Sequence, residues 1–155
     1  MTAVLALQIV LGGIMSGMKA GLFYPTWPDM NGALVPNVLF NAAQWNVENF
    51  VNYDKGPFMA ALIQTLHRSV AYLLTFMVLW FFFRLRKSVE SRVFNFTSVL
   101  LITMLIIQVM LGILTVINCK SSIPVGLGVM HQGGALLLLS IALFMNYQLI
   151  PGREK

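Results

Sequence analysis

The chain contains two histidines, and both lie in long apolar stretches where charged side chains are rare. His67 stands directly before Arg68 in the stretch 57–83, and no other side chain there carries or gains a charge near neutral pH. In the stretch 123–150, His131 is the only side chain that carries or gains a charge near neutral pH. Ionisable groups are costly to bury in a bilayer, so such positions predict a functional site. Imidazole is a common metal ligand, and two imidazoles on separate segments indicate a metal or haem held between helices.

The composition places these stretches in a membrane. The 155 residues are 58% hydrophobic and 10% charged, whereas soluble domains have about 25% charged residues. Four stretches approach or exceed the roughly 17–25 residues of a spanning helix. They cover residues 1–18, 58–83, 93–117 and 123–150, and the segment 19–56 forms a long loop. The first stretch is short and has no basic residue, so it predicts a retained helix and not a signal peptide.

The basic residues indicate orientation in the membrane and not a nucleic-acid surface, although the net charge is +5. Six lie between the second and third stretches or at the C terminus: Arg84, Arg86, Lys87, Arg92, Arg153 and Lys155. Three lie in the other links: Lys19, Lys55 and Lys120. By the positive-inside rule, we expect a multi-pass protein of a bacterial or mitochondrial inner membrane, with loop 19–56 on the outer side.

A repeat divides the chain into two helix pairs. Gln8 and Gly12 in the first stretch have the same spacing as Gln108 and Gly112 in the third. Each of these stretches is followed by one with a histidine, and the segment 66–74 aligns with 130–138. The sequence therefore predicts an all-α polytopic membrane four-helix bundle made of two repeated helix pairs. Internal symmetry of this kind often places a site between the repeats.

The two histidines are predicted to share one ligand. Their helices run in the same direction, and each imidazole lies ~12–13 Å below the start of its stretch at about 1.5 Å per residue. Imidazoles at one level can supply both axial ligands of haem iron. The small residues Gly128, Gly134 and Ala135 leave room for a porphyrin beside His131. Arg68 could pair with a haem propionate, or with a helix carbonyl or a lipid phosphate.

Other interpretations stay open at this point. Each histidine could only hydrogen-bond a neighbouring helix, as polar side chains in bundles do. Zinc is less suitable, because it takes three or four protein ligands. The single Cys119 cannot form an internal disulfide, and no C-x-x-C-H sequence is present for covalent haem attachment. The loop carries Trp27 and Trp45, which suit a membrane interface, and it could be a lid over a cofactor or an interfacial cover without that contact.

Three motifs resemble the haem A synthase family (CtaA-type). They are the run 17–32, Gln-x-x-His-Arg around His67, and His-Gln-x-Gly at 131–134. That resemblance implies an eight-helix membrane enzyme with two similar four-helix halves, which oxidises the methyl group of haem O to the formyl group of haem A for cytochrome oxidase. The chain resembles the C-terminal, cofactor half. In that half, His67 and His131 would be the axial pair for haem b iron.

One departure from the family concerns catalysis. In the substrate half of the family, a glutamate precedes the first histidine by three residues, but this chain has Gln64 there. An amide cannot accept a proton as a general base. We therefore expect no catalytic residue in this chain, and a haem A synthase-type oxidoreductase only with a partner half or as a homodimer. The alternatives are a stand-alone b-type cytochrome that carries electrons and a cofactor-free helical scaffold.

Overall fold

The regular structure of the protein is helical, as the sequence predicted. The computed structural model describes residues 1–85 and 91–150, and the only bridge between extended segments there joins Met30 and Ala33. The α-helices are α1 Thr2–Gly17, α2 Val47–Val51, α3 Pro57–Leu85, α4 Arg92–Ile117 and α5 Val125–Gln148. Short 3-10 helices cover Ala20–Leu22, Asn37–Phe40 and Ala42–Gln44.

Within residues 1–85 and 91–150, three helices are long and apolar enough to cross a membrane, so the protein is an integral membrane protein in contact with lipid. They cover Pro57–Arg84, Arg92–Ile117 and Val125–Gln148. Helix α1 is apolar but has 16 residues, which span about 24 Å against the roughly 30 Å hydrocarbon core. Beyond its end, Lys19 adopts the left-handed conformation with φ 52°, and a 3-10 turn over Ala20–Leu22 follows.

The four long helices form a bundle from two pairs. Helix α1 packs against α3, and α4 packs against α5. The pairs join through contacts of α1 with α5 and of α3 with α4. The order around the bundle is therefore α1, α3, α4, α5, and the two histidine-bearing helices, α3 and α5, stand at opposite corners.

One end of this bundle is held by an apolar core and polar ties. The buried core residues are Leu5, Leu74, Val78, Phe94, Leu101, Leu105, Leu138, Ala142 and Met145. Asn146 donates its side-chain amide to Thr2 Oγ1 at 3.3 Å, and Gln148 donates to Thr97 Oγ1 at 3.1 Å. Because lipid offers helices no hydrophobic reason to associate, such packing and hydrogen bonds stabilise the bundle.

Loop 19–56 folds onto α3. Tyr24 and Met30 are buried against Ala60 and Ala61 of α3. The Trp45 ring meets the Phe58 ring edge-on, with the centroids 5.1 Å apart. Burial of apolar surface and an aromatic pair of this geometry stabilise the contact. The loop is thus an ordered cover on one end of the helices.

The same end holds a contact between the two helix pairs. A Cβ built on Gly21, after α1, would lie 2.9 Å from the Cys119 Sγ, after α4. Cys119 is buried, and burial raises the pKa of its thiol. The C-terminal ends of α1 and α4 therefore meet at one end of the bundle, and the two pairs run in the same sense.

The side of the membrane that this end faces stays a prediction. The orientation was predicted from the distribution of basic residues, and four of these lie outside the described residues: Arg86, Lys87, Arg153 and Lys155. The division of residues 1–155 into a single four-helix domain also stays a prediction.

Candidate functional site

His67 lies on α3 with its ring against α1. A Cβ built on Gly12 would be 3.3 Å from the ring Cε1. One turn earlier on the same face, the Gln8 amide nitrogen lies 3.1 Å from His67 Nε2. The two ends of the amide have the same shape, so Gln8 either donates to Nε2 or accepts its proton, according to the tautomer of the ring. The ring is therefore held by a glycine that lets it approach and a glutamine that bonds it.

His131 meets α4 in the corresponding way. A Cβ built on Gly112 would be 3.0 Å from its ring Cε1 and 3.4 Å from Nε2. Gln108, one turn before Gly112, is buried at 5% exposure. Its amide lies against Gly134 of α5, three residues after His131, and neither amide atom has a hydrogen-bond partner among the described residues. The second imidazole is thus backed by the same pair of residue types.

The two imidazoles occupy equivalent levels in the two helix pairs. Gly12 lies five residues before the end of α1, and Gly112 lies five residues before the end of α4. These helix ends are joined at the Gly21 contact with Cys119. Two imidazoles at one level on opposite corners of a bundle can coordinate an ion between them.

Several buried polar atoms around these rings have no protein partner in the described ranges. They are Gln8 Oε1, His67 Nδ1, Gln108 Nε2, Gln108 Oε1 and His131 Nδ1. A buried group without a hydrogen bond destabilises a protein by about 1–3 kcal/mol, and native proteins contain few of them. The cluster is therefore suited to a polar or metal-containing ligand.

The set of donors favours haem over a bare metal ion. Within residues 1–85 and 91–150, no three or more His, Cys, Asp or Glu side chains come together as a metal site. A structural or catalytic zinc needs at least three such ligands. Haem iron takes only its axial ligands from the protein, so His67 and His131 fit this group.

The small residues predicted to make room beside His131 have different surroundings. A Cβ on Gly128 would meet no described atom within 4 Å, and Ala135 is half-buried. A Cβ on Gly134 would collide with the Gln108 amide. Gly134 therefore makes room for Gln108 between α4 and α5. The assignment of all three to a haem pocket stays a prediction.

Arg68 binds the loop. Its guanidinium donates to the backbone carbonyls of Thr26 at 2.6 Å, Asp29 at 2.8 Å and Pro28 at 3.1 Å. Hydrogen bonds from a charged donor are worth about 1.5–3 kcal/mol each. The structure thus gives Arg68 backbone carbonyl partners, in the loop and not in a helix, and its pairing with a propionate stays a prediction.

The turn bound by Arg68 contains its own hydrogen bonds. Thr26 Oγ1 donates to Asp29 Oδ1 at 2.7 Å, and the Gly32 amide donates to the same carboxylate at 3.2 Å. These bonds hold the pKa of Asp29 below its ordinary value, with the Thr26 bond the largest cause. The carboxylate is therefore the form that stabilises the turn.

Gln64 also ties α3 to the loop. It is 1% exposed, and its side-chain amide donates to the Tyr24 carbonyl at 2.9 Å. Its Oε1 is buried and has no partner in the described part of the chain. The sequences of α1, α3, α4 and α5 contain no Asp or Glu, so no carboxylate replaces it there.

Four residues of the helices that pack against the imidazoles were not predicted from the sequence as part of the site: Gln8, Gly12, Gln108 and Gly112. Their Gln-x-x-x-Gly spacing was visible as a sign of repetition. Residues four apart share a helix face, and this spacing was the signal that a histidine packs there.

Comparisons with known proteins match most of the chain. The family model COX15-CtaA, described as a cytochrome oxidase assembly protein, matches residues 1–143. A Heme A synthase of Sinorhizobium medicae is 39% identical over 148 residues, which is 92% of this chain and 37% of that protein. A Heme A synthase of Rhizobium meliloti is 38% identical over 137 residues, 88% of this chain and 34% of that protein. The chain thus spans a little over a third of these curated relatives. No solved structure matches.

Proposed function

The chain belongs to the COX15-CtaA family of cytochrome oxidase assembly proteins, and from this premise we propose that it is a haem-binding membrane protein of haem A biosynthesis. It corresponds to the cofactor half of a haem A synthase, the oxidoreductase that converts the methyl group of haem O to a formyl group. In this half, His67 and His131 hold one b-type haem.

The observation that carries the proposal is the pairing of the two imidazoles. They come from opposite corners of the bundle, at one level, and each has a buried ring nitrogen without a partner among the described residues. Gln8 of α1 bonds only one nitrogen of the His67 ring, and Nδ1 of each histidine has no partner among the described residues. Two rings left incompletely bonded in equivalent places favour a shared ligand.

The residues around His67 and His131 have different roles in the proposed binding of haem. His67 and His131 would hold the haem iron, and Gly128 and Ala135 would leave space for the haem along α5. Arg68 keeps the turn 26–29 against α3, so that the loop covers this end of the bundle and limits access of water. Bound haem b would supply one-electron redox chemistry.

Oxidation of haem O requires more than these residues offer. Both histidines are used by one haem, and the position expected to hold a proton-accepting carboxylate is Gln64. We infer that this chain binds haem but requires a partner half, or a homodimer with added catalytic groups, to make haem A. The presence of Gln64 where a carboxylate is expected also favours the second candidate function, a stand-alone b-type cytochrome that carries electrons.

The binding site is tested by absorption and electron paramagnetic resonance spectra of the purified protein. We expect a six-coordinate, low-spin b-type haem. The variants His67→Ala and His131→Ala should each lose the haem or convert it to a high-spin form. Ser140→Ala is the matched control, because Ser140 is exposed on α5 and bonds its own helix at Leu136. Unchanged spectra in both histidine variants would refute the site.

The role in synthesis is tested by incubation with haem O, a reductant and oxygen, followed by chromatography of the extracted haems. We expect no haem A from the chain alone, and haem A when the missing half of a Heme A synthase is co-expressed. Conversion without a partner would contradict the cofactor-half proposal. Haem binding without conversion in either case would favour the electron carrier.

A further inference from the structure

We propose that Gln8 and Gln108 are positioning residues, which fix the orientation and the tautomer of His67 and His131 by accepting the ring N–H that does not face the iron. The inference rests on the haem site proposed above, and it assigns a shared task to the Gln-x-x-x-Gly turns of α1 and α4.

The chemistry of a ligating histidine requires such an acceptor. One ring nitrogen gives its lone pair to the metal, and the other carries a proton. That N–H is almost always bonded to a carboxylate, a carbonyl or water, which fixes the ring and makes it a more basic ligand. The long helices contain no carboxylate, and the carbonyls of a helix interior are engaged in the helix.

Gln8 meets this requirement at His67. Its amide stands 3.1 Å from a ring nitrogen, and its Oε1 is buried without a partner among the described residues. The two ends of an amide have the same shape, so their assignment follows the hydrogen-bond network. With the amide turned over, Gln8 Oε1 accepts the proton on His67 Nε2. The other ring nitrogen, Nδ1, then keeps its lone pair for the iron.

Gln108 meets the same requirement at His131. It is 5% exposed, and both of its amide atoms are without partners in the ranges that the structure describes. A buried amide with nothing to bond is unfavourable in apolar surroundings. Gly134 provides the space for it, since a Cβ there would collide with the amide. Gln108 therefore lies one turn before the glycine that contacts the His131 ring, beside Gly134 on the helix of His131, and its Oε1 is free to accept the ring N–H.

The glycines complete the arrangement. Gly12 and Gly112 follow the glutamines by one turn, and their missing side chains let each ring lie against the helix backbone. The amide and the flat helix surface together hold a ring at two points. This duplicated arrangement explains why the spacing occurs once in each helix pair.

The test compares Gln→Leu with Gln→Glu at both positions, in the full chain loaded with haem in detergent. Leucine removes the acceptor, so the ring becomes a weaker donor and the ferric form loses stability. We expect the midpoint potential to rise and the haem affinity to fall by about 10- to 100-fold. Glutamate is a stronger acceptor, and it should lower the midpoint potential while the low-spin spectrum is retained.

Gln132→Leu is the matched control, because Gln132 is exposed on α5 beside His131 in the sequence. It should leave the potential unchanged. A role in packing alone predicts that leucine and glutamate shift the potential in the same direction or not at all, and that result would overturn the inference. If Gln108→Leu fails to fold, Gln8→Leu and Gln8→Glu provide the test, because Gln8 is only half-buried.

The failure of this inference can be distinguished from failure of the haem site itself. If the wild-type chain gives a low-spin spectrum that depends on both histidines but the glutamine variants behave like Gln132→Leu, only the positioning role is wrong. If the wild-type chain gives no such spectrum, both are wrong.

Discussion

Substitution of glycine by alanine measures how closely the imidazoles approach the helices. In Gly112→Ala, the new methyl carbon would lie 3.0 Å from the His131 Cε1, whereas ordinary contact begins at 3.4 Å, so the ring must recede by about 0.4 Å. In Gly12→Ala, the distance to His67 is 3.3 Å, so the required shift is about 0.1 Å. In Gly13→Ala, no described atom lies within 4 Å.

These shifts translate into a graded change in the free energy of unfolding. Alanine in a helix interior is more favourable than glycine by about 0.8–1.0 kcal/mol, and this gain applies to all three variants. Overfilling a packed contact is unfavourable by about 1–3 kcal/mol. We therefore expect Gly13→Ala to stabilise the protein, Gly12→Ala to be near neutral, and Gly112→Ala to destabilise it by up to ~2 kcal/mol.

Thermal unfolding in detergent, followed by circular dichroism, gives the order of stability without any haem. The absorption spectrum of the loaded protein should shift in the same order, with Gly112→Ala the most affected. Equal destabilisation by Gly13→Ala and Gly112→Ala would refute the reasoning, because it would mean that helix packing in general, and not contact with the imidazole, excludes a side chain at these positions.

Three further predictions concern the loop and the topology. Arg68→Leu should increase hydrogen exchange of the backbone amides in 26–32 by at least tenfold, since about 1.5–3 kcal/mol is lost for each charged bond; an unchanged rate would show that the loop holds without it. The pKa of Asp29 is lowered, so the carboxylate stabilises the turn above the ordinary carboxyl pKa, and this stabilisation is lost as the pH falls below about 4. Hydrogen exchange in 26–32 should therefore rise at low pH, and Asp29→Asn should remove this dependence on pH. A cysteine at Asn41 should react with an impermeant thiol reagent from the outer face, and one at Ser88, which lies outside the described residues, should not; the reverse labelling would invert the topology.

The sequence was a good guide to the helices because length and apolar content decide what crosses a bilayer. The structure begins α3 at Pro57, one residue before the predicted start, as proline suits the first helical position. It begins α5 at Val125, two residues after the predicted start, because Ile123 precedes a proline and disfavours the helical conformation. These differences follow from local chemistry that apolar patterning alone does not capture.

The site was only partly predictable from the sequence. The histidines stood out as polar groups in apolar stretches, but the partners of Arg68 did not, since the bound carbonyls lie 39 to 42 residues away. Such a contact depends on how loop 19–56 folds back. The contacts of Gln8 and Gln108 depend on the rotation of each helix about its axis, and the near-uniform apolar surface of membrane helices gives little information about that rotation.

The meeting of Gly21 with Cys119 has a consequence for the ancestry of the bundle. It puts the ends of α1 and α4 together, so each helix pair leaves the membrane on the side where it entered. A gene duplication of such a hairpin preserves the sidedness of everything downstream, whereas duplication of a single helix would reverse it. In such an arrangement, residues at corresponding positions of the two pairs lie at the same depth, the histidines included.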